Sequence, residues 1–230
     1  MAMKILLVSL LGGVLGLDRI VMQAMLSRPI VSAPLVGLAL GDVYTGLLAG
    51  ALFELFWIDR LPVGTCIPPN DFLAALLAAS ASIIVGQELG HASRELVAFS
   101  FLLFIPFGFL GQSVDSLIIG SNDALSEGAR QDAERAEAGG IFRKQMAGLT
   151  KTFFAYVSLI FLSLFSGATV LLLIFPLLPS AILRALSLSY FFLPVLGVAA
   201  GLNTVNLKGA VPIFCALFLV ITLILELLHV

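Results

Sequence analysis

Seven long apolar runs, near residues 3–17, 31–58, 72–87, 96–119, 153–178, 181–202 and 210–228, occupy most of this chain. A bilayer-crossing helix needs about 20 apolar residues, so several of these runs are long enough to cross. Those near 3–17 and 72–87 are short, and either extend into flanking residues or dip in and return. The chain is 60% hydrophobic and 11% charged. A soluble domain is about half apolar and about a quarter charged. A water-facing globule of 230 residues cannot hide this much apolar surface. The expected fold is an all-α polytopic membrane protein with six to eight membrane-embedded helical segments, built as one domain over 1–230.

Lys4 precedes the first apolar run and Leu17-Asp18-Arg19 follows it, with no small-residue cleavage site. The run therefore reads as a retained first helix rather than a signal. Cys66 and Cys215 stand alone in separate apolar regions and imply no disulfide framework; both read as inert small hydrophobes. The net charge is −2, and no basic patch points to nucleic acid. No phosphate-binding loop is present, so an ATP-driven pump is excluded. His91 and His229 are isolated, which argues against a metal cluster. No catalytic set and no cofactor is called for.

The segment 121–151 is the long polar one. It holds Arg130, Arg135, Arg143, Lys144 and Lys151 beside five acids. Its first half is rich in Ala, Glu, Arg and Gln and predicts a helix, which Gly139-Gly140 is expected to stop. The positive-inside rule places it in the cytoplasm, as a solvated helical extension, a docking surface for cytosolic partners, or both.

Two segments carry the candidate site. Pro34-Leu-Val-Gly-Leu-Ala-Leu-Gly-Asp42 echoes Pro194-Val-Leu-Gly-Val-Ala-Ala-Gly201. That echo raises a pseudo-repeat of halves 1–120 and 150–230, against chance recurrence of small-residue spacing. Gly46, Gly50 and Glu54 are spaced by four and share one helix face, a groove leading to a carboxylate. An acid within a membrane is costly, so Glu54 faces a cavity or a partner, or sits at the interface with Trp57, Asp59 and Arg60. The stretch Leu61 to Asp71 is interrupted by Pro62, Gly64, Pro68 and Pro69. A broken or re-entrant segment is predicted near 61–71, with Asn70-Asp71 capping a helix that starts at Phe72. Such backbone is tolerated where protein or a watery cavity lines it. Its free amides and polar acceptors suit a polyhydroxylated ligand; an ordinary external loop is the plainer alternative.

Ser27-Arg28-Pro29-Ile30, Pro34 through Asp42, Thr45-Gly46 and Gly50 through Glu54 resemble the membrane IIC subunit of the mannose–fructose–sorbose class of the bacterial phosphotransferase system. The resemblance continues through Pro62-Val-Gly64, Pro68-Pro69-Asn70-Asp71 and Ala74-Ala75, then more loosely through Gly111-Gln112 to Gly139. It implies a sugar-translocating permease subunit in the bacterial cytoplasmic (inner) membrane, moving a hexose-type sugar inward as partners phosphorylate it. Implied partners are a IID membrane subunit, in a hetero-oligomer, and the cytosolic IIA and IIB phosphocarriers. This subunit is not expected to carry a phosphorylated residue. Glu54, Asn70, Asp71 and Gln23 are the expected substrate-binding residues. Asp42, Gly46, Gly50 and Gly64 are the expected structural or pathway residues. Pro62 and Asn70 depart from the family's Asn and Asp, and a one-residue slip returns Asp71 to the acid position. Two other readings stand beside this one: an ion-coupled transporter using Asp42, Glu54 and Asp71, and a membrane scaffold or sensor for phosphocarriers.

Overall fold

The structure is a computed structural model. It describes residues 1–19, 23–60, 66–204 and 209–227, the last three without their side chains. Eight α-helices follow one another among these residues: α1 Ala2–Leu17, α2 Pro29–Leu40, α3 Val43–Phe56, α4 Asp71–Leu89, α5 Arg94–Glu134, α6 Ala138–Ile174, α7 Ser180–Thr204 and α8 Ala210–Leu227. No strand interrupts them among the described residues. Four of the long ones, α4 to α7, are long and apolar enough to cross a membrane.

The apolar run 31–58 is two helices, not one. Helix α2 has 12 residues and α3 has 14. At 1.5 Å per residue these span about 18 and about 21 Å, short of a bilayer core of about 30 Å. The chain reverses at Gly41, whose φ of 85° is open only to a residue without Cβ strain. Asp42 then caps α3: its carboxylate accepts from the Thr45 amide at 3.0 Å and the Thr45 hydroxyl at 2.6 Å. The second copy of the Pro-Gly-Gly echo folds differently, because Pro194 and Gly201 both lie inside the continuous helix α7.

Helix α4 is the axis of the molecule. Every residue from Phe72 to Gly86 is buried. A helix that is apolar all round has no solvent face and must be wrapped by others. Its alanines and serines let α1, α2, α3, α5 and α6 approach closely. Ser80 and Ser82 return their hydroxyls to the Leu76 and Ala78 carbonyls, so these small polar residues cost little. Helix α7 packs on α3 and α5, and α8 packs on α7. Helix α8 leaves Ile213, Leu217, Leu219 and Leu223 exposed, as suits a face turned to lipid or to another subunit. Cys66 and Cys215 are free and exposed in the chain by itself, rather than buried as small hydrophobes usually are.

Helices α5 and α6 outrun the others. With 41 and 37 residues they extend about 60 and about 55 Å, nearly twice the hydrocarbon thickness. Their polar ends form an antiparallel helical hairpin. The expected stop at Gly139-Gly140 is displaced: α5 ends at Glu134, the turn runs through Arg135–Glu137, and both glycines lie inside α6. Ala136 adopts the positive φ of the turn, at 59°. Gly140 serves close approach instead, since a Cβ there would overlap the Asp132 carboxylate. Asp132 in turn pairs with Lys144 across the hairpin. Arg130 bridges Glu127 at 2.7 Å and reaches Glu134 one turn further on. The Arg130 hydrogen bond holds the Glu127 carboxyl below the ordinary glutamate range.

Candidate functional site

Four helix ends meet partway along the apolar stretch of α5. They are the C-termini of α1 and α3 and the N-termini of α2 and α4. Contacts between them fix the level. Asn70 donates its backbone N–H to the Gly108 carbonyl at 2.8 Å. A Cβ on Gly108 would meet the Trp57 ring, and one on Gly111 would meet the Asn70 Cβ, each at 2.6 Å. These two glycines let the end of α3 and the irregular segment 66–70 lie against α5. The Gln112 amide also donates to the Ile67 carbonyl. Irregular backbone thus runs beside an apolar helix, with its polar groups taken up by protein, as the membrane requires.

Charges follow the helix ends. Helix N-termini favour anions and C-termini favour cations. Asp71 opens α4, and Arg19 follows α1; they face each other at 3.8 Å. Glu54 stands at the end of α3 against the start of α2. Its carboxylate accepts from the Ile30 amide at 3.3 Å and pairs with Arg28 at 2.6 Å. Asp18 is buried and ties down the approach to α2, accepting from the Ala24 amide at 2.9 Å and the Ser27 amide at 3.2 Å.

Asn70 is fully buried. Its Oδ1 accepts from the Leu73 amide at 2.9 Å, the cap expected from sequence. Its Nδ2 donates to the Asp115 carboxyl at 2.8 Å and to the Tyr156 hydroxyl at 3.2 Å. Tyr156 in turn donates to the other Asp115 oxygen at 2.7 Å. The Asn70 amide is therefore satisfied within the protein, and its geometry is that of a bridge joining α4, α5 and α6.

Two cavities adjoin this level. One, of about 280 Å³, is lined by Arg19, Cys66, Asp115, Thr152 and Tyr156 among others. The other, of about 410 Å³, is lined by Arg19, Gln23, Arg28, Arg60 and Asp71 among others. Arg19 and Pro68 belong to both. Arg19 Nη1 is buried and, among the described residues, has no hydrogen-bond acceptor, its ion-pair partner Asp71 standing at 3.8 Å. A buried guanidinium nitrogen without an acceptor is costly unless something else fills the role.

The sequence-derived residues separate on this geometry. Gln23 and Asp71 line the larger cavity, and Glu54 reaches its rim through Arg28. Asp42 lies at the far end of α3, 12 residues and about 18 Å from Glu54, where it caps its helix. Gly46 and Gly50 do form one face with Glu54, but α2 fills that groove. A Cβ on Gly46 would meet the Ala33 carbonyl at 2.6 Å, and one on Gly50 would overlap the Pro29 carbonyl. Their geometry is that of close packing within one helical hairpin. Gly64, with Pro62, lies outside the described residues. Arg19, Asp115 and Tyr156 were not singled out from sequence. Asp115 carried a signal, as the lone acid in a run of more than 20 apolar-rich positions, Leu96 to Gly120.

The Asp42 cap has a testable magnitude. Asp42→Ala removes two hydrogen bonds at the hairpin tip and is expected to cost about 1 kcal/mol. A thermal melt in detergent checks this.

The family model for the sorbose-specific IIC component of the phosphotransferase system matches residues 2–230. The chain belongs to this family. Among related IIC components, it is 34% identical over 95 residues to the putative N-acetylgalactosamine permease IIC component 2 of Escherichia coli (strain K12). That match covers 41% of this chain and 71% of the relative. It is 23% identical over 218 residues to the sorbose-specific EIIC component of Klebsiella pneumoniae, covering 94% of this chain and 79% of the relative. The fold agrees with two solved structures across the whole chain and 95% of each counterpart. One is described as a membrane protein, with TM-score 0.72 and 20% identity. The other is the mannose transporter ManYZ in complex with microcin E492, with TM-score 0.63 and 19% identity. The protein is a multi-helix membrane subunit of a phosphotransferase-system sugar permease.

Proposed function

We propose that this IIC component binds a hexose-type sugar in the two adjoining cavities around Arg19 and passes it inward, with partner subunits phosphorylating it. Arg19, which walls both cavities and whose Nη1 has the Asp71 carboxylate at 3.8 Å but no hydrogen-bond acceptor among the described residues, carries the reading. A sugar hydroxyl supplies the missing acceptor. Asp71 and the remaining lone pairs of Asp115 add acceptors, and Gln23 adds a donor and an acceptor, which suits a polyol. Glu54 acts through Arg28, holding the guanidinium at the cavity rim. Asn70 acts as a positioning residue that holds Asp115 and Tyr156 in place. The partners proposed are a IID membrane subunit, together in a hetero-oligomer, and IIA and IIB phosphocarriers in the cytosol. The membrane is the bacterial cytoplasmic one, with the α5–α6 hairpin inside, where its basic residues accord with the positive-inside rule.

Vesicles holding this chain with its IID partner should take up sugar only when IIB and phosphoenolpyruvate are supplied. Uptake that persists without them, and collapses with an ionophore, would overturn the mechanism in favour of ion coupling. Cys66 offers a direct reporter of occupancy because it lines the smaller cavity. In a Cys215→Ser background, saturating sugar should slow maleimide labelling of Cys66. An unchanged labelling rate with a transported sugar would place the binding site elsewhere.

A further inference from the structure

The seam between α5 and α6 continues beyond the cavity that holds Asp115 and Tyr156. Past it, between the polar halves of the two helices, lies a third cavity of about 400 Å³. Asn122, Ser126, Lys144, Gln145 and Thr152 stand in its walls. Thr152 also walls the Asp115 cavity, so the two spaces abut at one buried residue. The Thr152 hydroxyl is turned back to the Gly148 carbonyl at 2.9 Å and does not block the seam with a charge.

The lining of this cavity selects a class of ligand. Among the described residues no donor reaches the buried Asn122 Oδ1, and Asn122 stands in the cavity wall. An unpaired buried acceptor is rare and points to a donor that the protein does not supply. Ser126, Gln145 and Thr152 add uncharged hydrogen-bonding groups. Among the described residues, Lys144 is the cation in the wall, and it is already held by Asp132 and by the Gly128 carbonyl at 2.8 Å. A phosphate brought to Lys144 would therefore meet the Asp132 carboxylate as well. A neutral polyol brings no charge to that pair, and its C–H face can lie on the apolar part of the wall, Leu125, Ile141 and Leu149.

We infer that this cavity is a second, inner station for the unphosphorylated sugar, reached along the α5–α6 seam from the level of Asp115. The inference rests on the sugar-binding reading above and adds to it where the sugar waits next. Passage between the stations is past Thr152, and Asn122 holds the sugar at the inner one.

The test uses the complex of this chain with its IID partner, in a Cys66→Ser, Cys215→Ser background carrying Ser126→Cys. Maleimide labelling is followed with mannose, fructose, sorbose, N-acetylgalactosamine and mannose 6-phosphate in turn. At a sugar concentration about ten times its dissociation constant, occupancy of the inner station should slow labelling about tenfold. Asn122→Leu in the same background should remove most of that protection. The same Asn122→Leu change with native Cys66 and Ser126 should leave protection of Cys66 intact. If Cys66 is protected and Ser126→Cys is not, the inner station is overturned while the sugar-binding reading stands. If neither is protected, both fall. If mannose 6-phosphate protects Ser126→Cys at lower concentration than any free sugar, the cavity takes the product and the inference is overturned.

Discussion

Asn70→Ala should both destabilise the protein and abolish transport. The substitution removes the cap on α4, worth about 1 kcal/mol. It also takes one donor from the Asp115 carboxyl, a loss of about 1–3 kcal/mol for a buried acceptor. The Cβ is kept, so the close approach of Gly111 is undisturbed and no new clash is introduced. Together the two losses amount to about 2–4 kcal/mol, with the exact figure dependent on coupling because both run through one side chain. Asn70→Asp separates them. It keeps a capping oxygen but sets a second carboxyl against Asp115. It should therefore recover the cap and not the bridge. A thermal melt of each variant, with uptake measured in parallel, checks the pair. A wild-type melting curve for Asn70→Ala would show that the bridge adds nothing to stability.

Gly50→Val is the second large effect. A helix interior favours most residues over glycine by some tenths to about 1 kcal/mol, so propensity alone predicts stabilisation. Sterics predict the opposite. A Cβ at Gly50 would overlap the Pro29 carbonyl and stand 3.2 Å from the Ala33 Cβ. The nearest obstacle is backbone, which cannot rotate aside. Overpacking of this kind typically costs about 1–3 kcal/mol. It would also wedge α2 from α3 at the point where Arg28 meets Glu54, and so disturb the cavity rim. The steric term wins, with a lower melting temperature and reduced uptake expected. Gly120→Ala, inside α5, is the control. Nothing lies within 4 Å of a Cβ there, so the propensity gain should appear undiminished. If Gly50→Val is as stable as that control, the α2–α3 contact is loose enough to admit a side chain.

The two substitutions mark where the sequence could be read and where it could not. The spacing of Gly46, Gly50 and Glu54 announced one helix face with small residues leading to an acid. It did not say what lies in the groove, because any closely approaching backbone suits glycine equally. The tertiary structure fills it with α2, from the same chain. Asn70 was legible as a cap because capping is local: the donor, Leu73 N–H, is three residues away. Its other partners are 45 and 86 residues distant, and nothing in the local pattern pairs them. Asp115 announced itself only by being an acid in an apolar run. Arg19 stood out only as a charge that follows the first apolar run.

The amino-acid sequence by itself determined the class of fold, since this density of apolar residues admits a helical membrane protein and excludes a water-soluble globule. It also determined that polar chemistry is set inside the apolar region, from acids and prolines that a lipid-facing helix does not tolerate. Burial cost depends on residue type, and residue type is written in the chain. The tertiary structure decided which polar groups share a space. It folded 31–58 into two helices and brought the ends of α1 to α4 to one level of α5. It joined Asn70, Asp115 and Tyr156, and placed Asp42 about 18 Å from Glu54. Those relations depend on how helices pack against one another, and packing is a property of surfaces that meet only when the whole chain has folded.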